Sequence, residues 1–273
     1  MKKIGIQGIK GSYHDQVAKE YFGDSVEINE FLSFDDLADS VVIGGSDFGI
    51  MAIENSIAGS IIPNYALIDN LNLHIVGECF VNINHQLMAL PGVDLNDIET
   101  VSSHPMALLQ CKKFFKDFPK ISLIEARDTA GEAKRISENK IKNVGAIASV
   151  EASKLYELNI IHKNIKTIEK NETRFVIVSK QRMSSSEDFD KASIKFSLSH
   201  KTGSLASVLT ILRDYNLNLT KIQSLPIIEF PWKYSFFIDT TFNDMNDFNN
   251  AIELIGHKSE SLKLLGIYKN RMK

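Results

Sequence analysis

Through its first two-thirds the chain repeatedly sets a short apolar segment before a polar turn and a helical pattern. That rhythm constrains the fold strongly, because parallel strands need a crossover between them and a helix is the usual one. Lys3 to Gln7 reads as a strand, Gly8 to Gly11 as a turn, and Tyr13, Val17, Ala18 and Tyr21 as the apolar side of a helix. Phe48 to Ile53 is a second strand, handing over at Glu54-Asn55-Ser56 to a helical segment through Ile57 to Ile68. Strands at Leu73 to Val76 and Gln86 to Leu90 precede the turn Pro91-Gly92. Ile98 to Val101 meets Ser102 to Pro105, with Pro105 suited to a first helical turn. Ser122 to Ala126 meets Arg127-Asp128-Thr129, where the spacing of Thr129 and Glu132 predicts a capping box ahead of a helix over Ala130 to Glu138. Val144 to Ala148 leads into a helix through Tyr156, and Arg174 to Ser179 is β-rich. Open sheets of this kind bind ligands where strands hand over to helices, so the loops at Gly8, Glu54, Ser102 and Asp128 are expected in one cleft.

The rhythm stops at Lys180 to Asp190, a polar, Ser-rich stretch without apolar periodicity that reads as a linker over 181–190. Beyond it come a strand at Ala192 to Ser199, the turn Lys201-Thr202-Gly203, a helix from Ser204 to Tyr215 and a strand at Leu217 to Ile228. An alternating strand at Trp232 to Thr241, a helix at Asp247 to Ile255 and a strand at Leu262 to Tyr268 complete a βαββαβ, ferredoxin-like order.

Charge excludes some partners. A formal net charge of -3 leaves no basic footprint for nucleic acid. No apolar run reaches the length of a membrane span. Cys79 and Cys111 fit a reducing compartment and lack metal-ligand spacing, and the seven histidines are scattered, so no metal site is expected and the cytoplasm is the expected location. The opening M-K-K-I-G-I reads as a strand and not a signal peptide.

Six separated segments bear the chemistry. These are G-I-K-G-S-Y at Gly8 to Tyr13, A-I-E-N-S-I-A-G-S at Ala52 to Ser60 and S-H-P-M-A-L-L-Q-C at Ser103 to Cys111. D-T-A at Asp128 to Ala130, G-A-I-A-S at Gly145 to Ser149 and N-E-T-R-F at Asn171 to Phe175 complete the set. In this order, from about Lys3 to Lys269, they resemble the prephenate dehydratase family with a C-terminal ACT regulatory domain. Ile9 replaces a proline usual in the first of them.

That resemblance implies an α/β fold: a two-subdomain, periplasmic-binding-protein-like catalytic region over 1–180 and a ferredoxin-like ACT domain over 191–273. Subdomain one would span about 1–77 and 165–180, and subdomain two about 78–164. The implied enzyme is a carbon–oxygen lyase that removes carbon dioxide and water from prephenate, giving phenylpyruvate on the way to phenylalanine. Thr173 would contact the leaving hydroxyl, with Asn55 and Ser56 as catalytic neighbours. Gly11, Ser103, Thr129, Arg174 and Phe175 would bind substrate.

Structural readings stand beside these. Asn55 or Ser56 caps a helix, Thr129 is an N-cap, and His104 satisfies a first-turn backbone group or acts as an acid. Arg174 pairs with an acid such as Glu172, holds the domain packing or grips a carboxylate, and strand alternation puts it on the face opposite Thr173. Glu54 is assigned to the scaffold, since it would repel a dianion.

The resemblance also implies L-phenylalanine as an effector held near Gly203, Ser204, Leu205, Asn218 and Leu219. N-L-T-K-I-Q-S-L-P at Asn218 to Pro226 carries Gln223 and Leu225 where the family has an acid and an arginine. The alternative is a dimerisation module without a ligand. Self-association as a homodimer or homotetramer through ACT domains is expected, and a fused chorismate mutase is not. Arogenate as substrate, and a non-catalytic binding or sensor protein, remain the rival functions.

Overall fold

The computed structural model describes residues 1–183, 188–227 and 232–272. The expected linker therefore lies partly outside the described residues, and Ile228, expected to end a strand, lies outside them. The chain opens with β1 (Lys2–Gln7), α1 (Tyr13–Phe22), β2 (Val26–Phe31), α2 (Phe34–Ile43) and β3 (Phe48–Asn55). β1 lies parallel to both β2 and β3, with Ile4 opposite Ile28 and Phe48. Ser12 and Ser33 cap α1 and α2 by accepting the Asp15 and Asp36 N–H groups.

The expected helix over Ile57 to Ile68 is corrected. After β3 the chain turns over 56–58, forms the two-residue β4 (Gly59–Ser60), and only then enters α3 (Ile62–Asn70), whose first turn holds Pro63. The cause is the Asn55 carboxamide, which binds the backbone of the turn and keeps it from winding into a helix.

Next come β5 (His74–Asn82), β6 (Gln86–Ala89), β7 (Thr100–Ser103), α4 (Pro105–Cys111), β8 (Ser122–Glu125) and α5 (Thr129–Glu138). β9 (Val144–Ala148), α6 (Val150–Leu155), β10 (Asn159–His162) and β11 (Glu172–Ser179) follow. One sheet runs β2-β1-β3-β11-β5 with β4 beside β3, and a second runs β10-β6-β9-β7-β8. In the second sheet β7 is parallel to β8 and β9, while β6 is antiparallel to β9 and β10. Leu87, Ala89, Val101 and Ile147 pack on one side of it against α4, and Met88, Ala146 and Ala148 on the other against α5 and α6.

The Thr129 cap is also corrected. The N-cap of α5 is Asp128, whose Oδ1 accepts the Gly131 N–H at 2.6 Å, so Thr129 is the first helical residue. A carboxylate at this end satisfies an orphan donor and meets the positive pole of the helix. Glu132 is engaged elsewhere, by the Ser102 hydroxyl at 2.5 Å and by Arg135.

The last elements are β12 (Lys191–Ser197), α7 (Ser204–Asp214), β13 (Asn218–Pro226), β14 (Tyr234–Thr241), α8 (Met245–Lys258) and β15 (Ser261–Tyr268). They form an antiparallel sheet ordered β13-β14-β12-β15. Ile194, Phe196 and Ile238 of that sheet share a core with Val208 and Leu212 of α7 and Phe248 and Ile255 of α8.

By packing, the chain divides into two units: Met1–Gly59 with Phe80–Phe175, and Ser60–Cys79 with Val176–Lys273. Within the second, Lys195 and Lys263 both bind the Asp69 carboxylate, Tyr65 meets Phe237 edge-on at 5.3 Å, and Lys191 reaches both oxygens of the buried Glu78 at 2.9 and 3.0 Å. Burial pushes the Asp69 carboxyl up, but the hydrogen bonds and charges of the two lysines outweigh it and hold the group below the usual carboxylate range. At Gly266 a Cβ would stand 1.9 Å from the Ile75 carbonyl oxygen, so only glycine admits this approach.

Gly266→Ala is therefore expected to destabilise the second unit by about 3 kcal/mol. Thermal unfolding of the variant beside the wild type, followed by circular dichroism, measures it; an unchanged midpoint would show that β15 relieves the clash without cost.

Candidate active site

Asn55 ends β3 with its side chain buried at 9% exposure. Its Oδ1 accepts the N–H groups of Ile57 at 3.0 Å and Ala58 at 2.9 Å. Backbone N–H groups only donate, so these two bonds fix which end of the carboxamide is oxygen. The Nδ2 end then donates to Asn171 Oδ1 at 2.8 Å and Thr173 Oγ1 at 2.9 Å, joining β3 to the start of β11. Ser56 reinforces the junction: its N–H donates to the Glu172 carbonyl at 2.8 Å and its Oγ accepts the Glu172 N–H at 2.9 Å. Ser56 is otherwise exposed.

The orientation propagates. Asn171 is fully buried, and because its Oδ1 faces Asn55, its Nδ2 donates to Gln110 Oε1 on α4 at 2.8 Å. The same Oε1 lies 2.9 Å from His85 Nε2, so that nitrogen carries the hydrogen and Nδ1 is bare. Tyr13 meets the His85 ring edge-on; its hydroxyl donates to the Asn84 carbonyl at 2.9 Å and sits 3.4 Å from Nδ1. Burial pushes the His85 imidazole down to about 4, against the opposing pull of its bond to Gln110, so the ring is neutral at pH 7. Burial likewise raises the Tyr13 phenol, and its hydrogen stays in place.

Thr173, at 7% exposure, ends this line. Its Oγ1 receives a hydrogen from Asn55, and among the described residues no acceptor takes the hydrogen that Thr173 itself carries. Phe175, two residues along the same strand face, packs against His14 of α1 with ring centroids 5.0 Å apart. Arg174, on the opposite face by alternation, is buried at 6% exposure.

The Gly8 loop is held by α6. Gly11 has φ +87°, and a Cβ there would come within 3.1 Å of Ala152 Cα. Its carbonyl accepts the Ser149 hydroxyl at 2.6 Å, its N–H donates to Asp15 at 2.8 Å, and the Tyr156 hydroxyl donates to the Lys10 carbonyl at 2.6 Å. Close approach at Gly11 is thus to a helix of the protein.

Ser103 is fully buried and gives its hydroxyl hydrogen to the Ile147 carbonyl at 2.6 Å, bracing β7 against β9. Thr129 stands half-buried at the head of α5, outside the hydrogen-bonded line. His104 is the N-cap of α4, its Nδ1 accepting the Met106 N–H at 3.2 Å, which matches the backbone-satisfying alternative. Cys111 is buried, and burial pushes its thiol up to about 12, so it acts as an apolar core atom. Among the described residues no group of three or more His, Cys, Asp or Glu side chains is placed to hold a metal. No helix among them is long and apolar enough to cross a membrane.

Of the residues predicted for an effector, Ser204 and Leu205 line a cavity of about 470 Å³ with Leu198, His200, Lys201 and Tyr234. Gly203 precedes α7 with φ +83°, as its N-cap. Asn218 and Leu219 lie in β13: the Asn218 carbonyl accepts the Thr240 hydroxyl at 3.1 Å, and Leu219 packs on the core. Gln223 turns its Nε2 onto the Ser224 carbonyl at 2.9 Å, and Leu225 is buried.

Sequence reasoning did not select Tyr13, His85, Gln110, Ser149 or Asn171. All but His85 lie inside the quoted segments, and a polar residue inside such a segment was the available signal. His85, in the short connection between β5 and β6, gave none.

A pH effect follows from His85. Its folded value, about 4, lies below the ordinary value of 6.5, so the unfolded chain takes up the proton first. Its contribution is complete above pH 6.5 and is lost as pH falls from 6.5 to 4, by up to about 1.4 kcal/mol per pH unit. Urea midpoints across that window should fall less steeply in His85→Gln than in the wild type; equal slopes would show that the imidazole is not held neutral.

The model of the family described as prephenate dehydratase matches residues 4–183. The bifunctional chorismate mutase/prephenate dehydratase of Buchnera aphidicola subsp. Schizaphis graminum is 35% identical over 98% of this chain and 71% of its own length. Arogenate dehydratase 2 of Petunia hybrida is 33% identical, over 97% of this chain and 71% of its own. Among solved structures, one described as GqqA, a novel type of quorum-quenching acylase, superposes with a TM-score of 0.88 at 26% identity, covering 98% of each chain. A prephenate dehydratase of Arthrobacter aurescens in complex with L-Phe gives 0.87 at 23% identity, covering 98% of this chain and 90% of its own, and shows the shared fold. The chain belongs to the prephenate dehydratase family, and is an enzyme of the group that dehydrates prephenate or arogenate toward phenylalanine.

Proposed function

We propose that this enzyme acts on prephenate, giving phenylpyruvate, carbon dioxide and water, at a site built around Thr173 and Asn55. The observation that carries the reading is the bond from Asn55 Nδ2 into Thr173 Oγ1, which leaves the threonine's own hydrogen to be given to a ligand. In the reaction the bond from ring carbon to carboxylate breaks, and its electron pair enters the ring. The ring's bond to the hydroxyl oxygen breaks in turn, and the oxygen leaves as hydroxide, which takes one proton from solvent to become water. Thr173 donates a hydrogen bond to the departing oxygen. A threonine is too weak an acid for full transfer, so its effect is pre-organised stabilisation of the charge that develops there. Ser56 holds the turn, and Thr129 and Phe175 shape the pocket; Gly11 and Ser103 act one step back, seating the Gly8 loop on α6 and bracing β7 against β9, and Arg174, on the strand face opposite Thr173, supports the packing of β11. No metal or organic cofactor is needed, because aromatisation drives the step.

In this reading residues 1–180 are catalytic, in subdomains of about 1–77 with 165–180 and about 78–164. Residues 191–273 are a regulatory domain joined by a linker at 181–190. L-Phenylalanine binds near Gly203, Ser204, Leu205, Asn218 and Leu219, with reduced affinity because Gln223 and Leu225 replace a charged pair. The regulatory domains pair copies of the chain into a homodimer or homotetramer, and two buried thiols suit a cytoplasmic setting.

Purified protein assayed with prephenate and with arogenate, each with and without L-phenylalanine, tests the reading. An acyl-amide substrate belongs in the same series, given the acylase of like fold. Phenylpyruvate from prephenate, with kcat lowered at least about 100-fold by Thr173→Ala, is expected. Turnover of arogenate alone would assign that substrate instead, and turnover of neither by folded protein would favour a binding or sensor role.

A further inference from the structure

We propose that His85 is a positioning residue for the reaction, resting on the site proposed above: its Nε2–H holds Gln110, the far end of the line of carboxamides that runs to the Thr173 hydroxyl, in the orientation set at Asn55. The line has a fixed end and a free one. At the fixed end the N–H groups of Ile57 and Ala58 orient Asn55, which orients Asn171, which in turn presents its Nδ2 hydrogen to Gln110. Gln110 is the weak member. It stands on α4 and is only half-buried, and a carboxamide can turn end for end with little change of shape.

If Gln110 turned, its NH₂ group would oppose the Asn171 NH₂ group at 2.8 Å, and Asn171 would be driven to turn as well. Asn55 Nδ2 would then face a donor and withdraw from Thr173. The second donor aimed at Gln110 Oε1, His85 Nε2–H at 2.9 Å, forbids that turn. Two hydrogens converging on one oxygen leave Gln110 a single acceptable orientation.

His85 is suited to the task because its charge state is fixed: the ring is buried at 3% exposure, so it carries a single hydrogen, and Nε2 is the nitrogen set against Gln110 Oε1. The charged groups that act on it are Lys166 and, when protonated, His104, and both oppose protonation as burial does. The Lys166 ammonium is tied to Asn82 Oδ1 at 2.9 Å.

Two measurements test this. Imidazole ¹⁵N shifts of the wild-type protein at pH 7 should show His85 neutral with its hydrogen on Nε2; a hydrogen on Nδ1, or an imidazolium, overturns the proposal. Steady-state kinetics then compare His85→Leu, which removes the donor, with His85→Gln, whose terminal NH₂ reaches the same place. On whichever substrate the wild type turns over, His85→Leu should lower kcat about tenfold to hundredfold with KM within about threefold, and His85→Gln should recover most of the loss. Equal losses in the two variants, a loss confined to KM, or an unchanged kcat in His85→Leu each mean that the ring only fills space. If His85→Leu does not fold, the shift measurement decides alone. Wild-type protein with no turnover sinks the dehydratase reading and leaves the tautomer result standing on its own.

Discussion

The rest of the site depends on two backbone N–H groups that can only donate. Ile57 and Ala58 fix the Asn55 oxygen, and every later hydrogen bond, through Asn171, Gln110 and His85, inherits its direction from that choice. Side-chain amides have no intrinsic preference between their ends, so a line of them is ordered only if something asymmetric anchors it. The anchor here is a tight turn, and this explains why the chain turns at 56–58 instead of entering a helix.

That turn marks the boundary of what the residues alone disclosed. Segments with strong apolar runs, such as Lys3 to Gln7, Phe48 to Ile53 and Val144 to Ala148, sit within the observed strands, because burial on both faces leaves a continuous apolar signature. The strands Val26–Phe31 and Asn159–His162 and the helix Phe34–Ile43 went unread. Both strands are largely half-exposed, carry charged, Asn or His residues among their apolar ones, and dilute the periodic signal. The helix start after Asp128 was misplaced by one residue because Thr129 also has the chemistry of a cap. Residue types in the matched segments pointed to the neighbourhood of the site, but Gln110 and His85 acquire meaning only from partners 61 and 25 positions away.

The second unit shows a different limit. Residues Ser60–Cys79 belong by packing with Val176–Lys273, although their sequence continues the strand–helix rhythm of the first two-thirds. What binds them there is charge and contact geometry: two lysines on Asp69, one on Glu78, and a glycine at Gly266 that admits the Ile75 carbonyl. A lone glycine in a strand signals a close backbone approach without saying to what. The lysines look like solvated surface charge until their partners are known. The pattern of a ferredoxin-like unit was legible in the sequence; the segment recruited to its packing was not.

The character of the hydrogen-bonded line also bears on the chemistry proposed for it. Its members are amides, hydroxyls and an imidazole kept neutral by burial, so it supplies directed donors without net charge. A substrate that must shed a carboxylate as carbon dioxide is poorly served by a cation beside that carboxylate, since the charge stabilises the ground state and the attraction is lost as the bond breaks. A departing hydroxyl, by contrast, gains negative character in the same step and is served by a pre-oriented hydrogen. Neutral donors therefore favour the product side twice over. The cost of building such a site is entropic and steric: each amide must be paired and denied its alternative orientation.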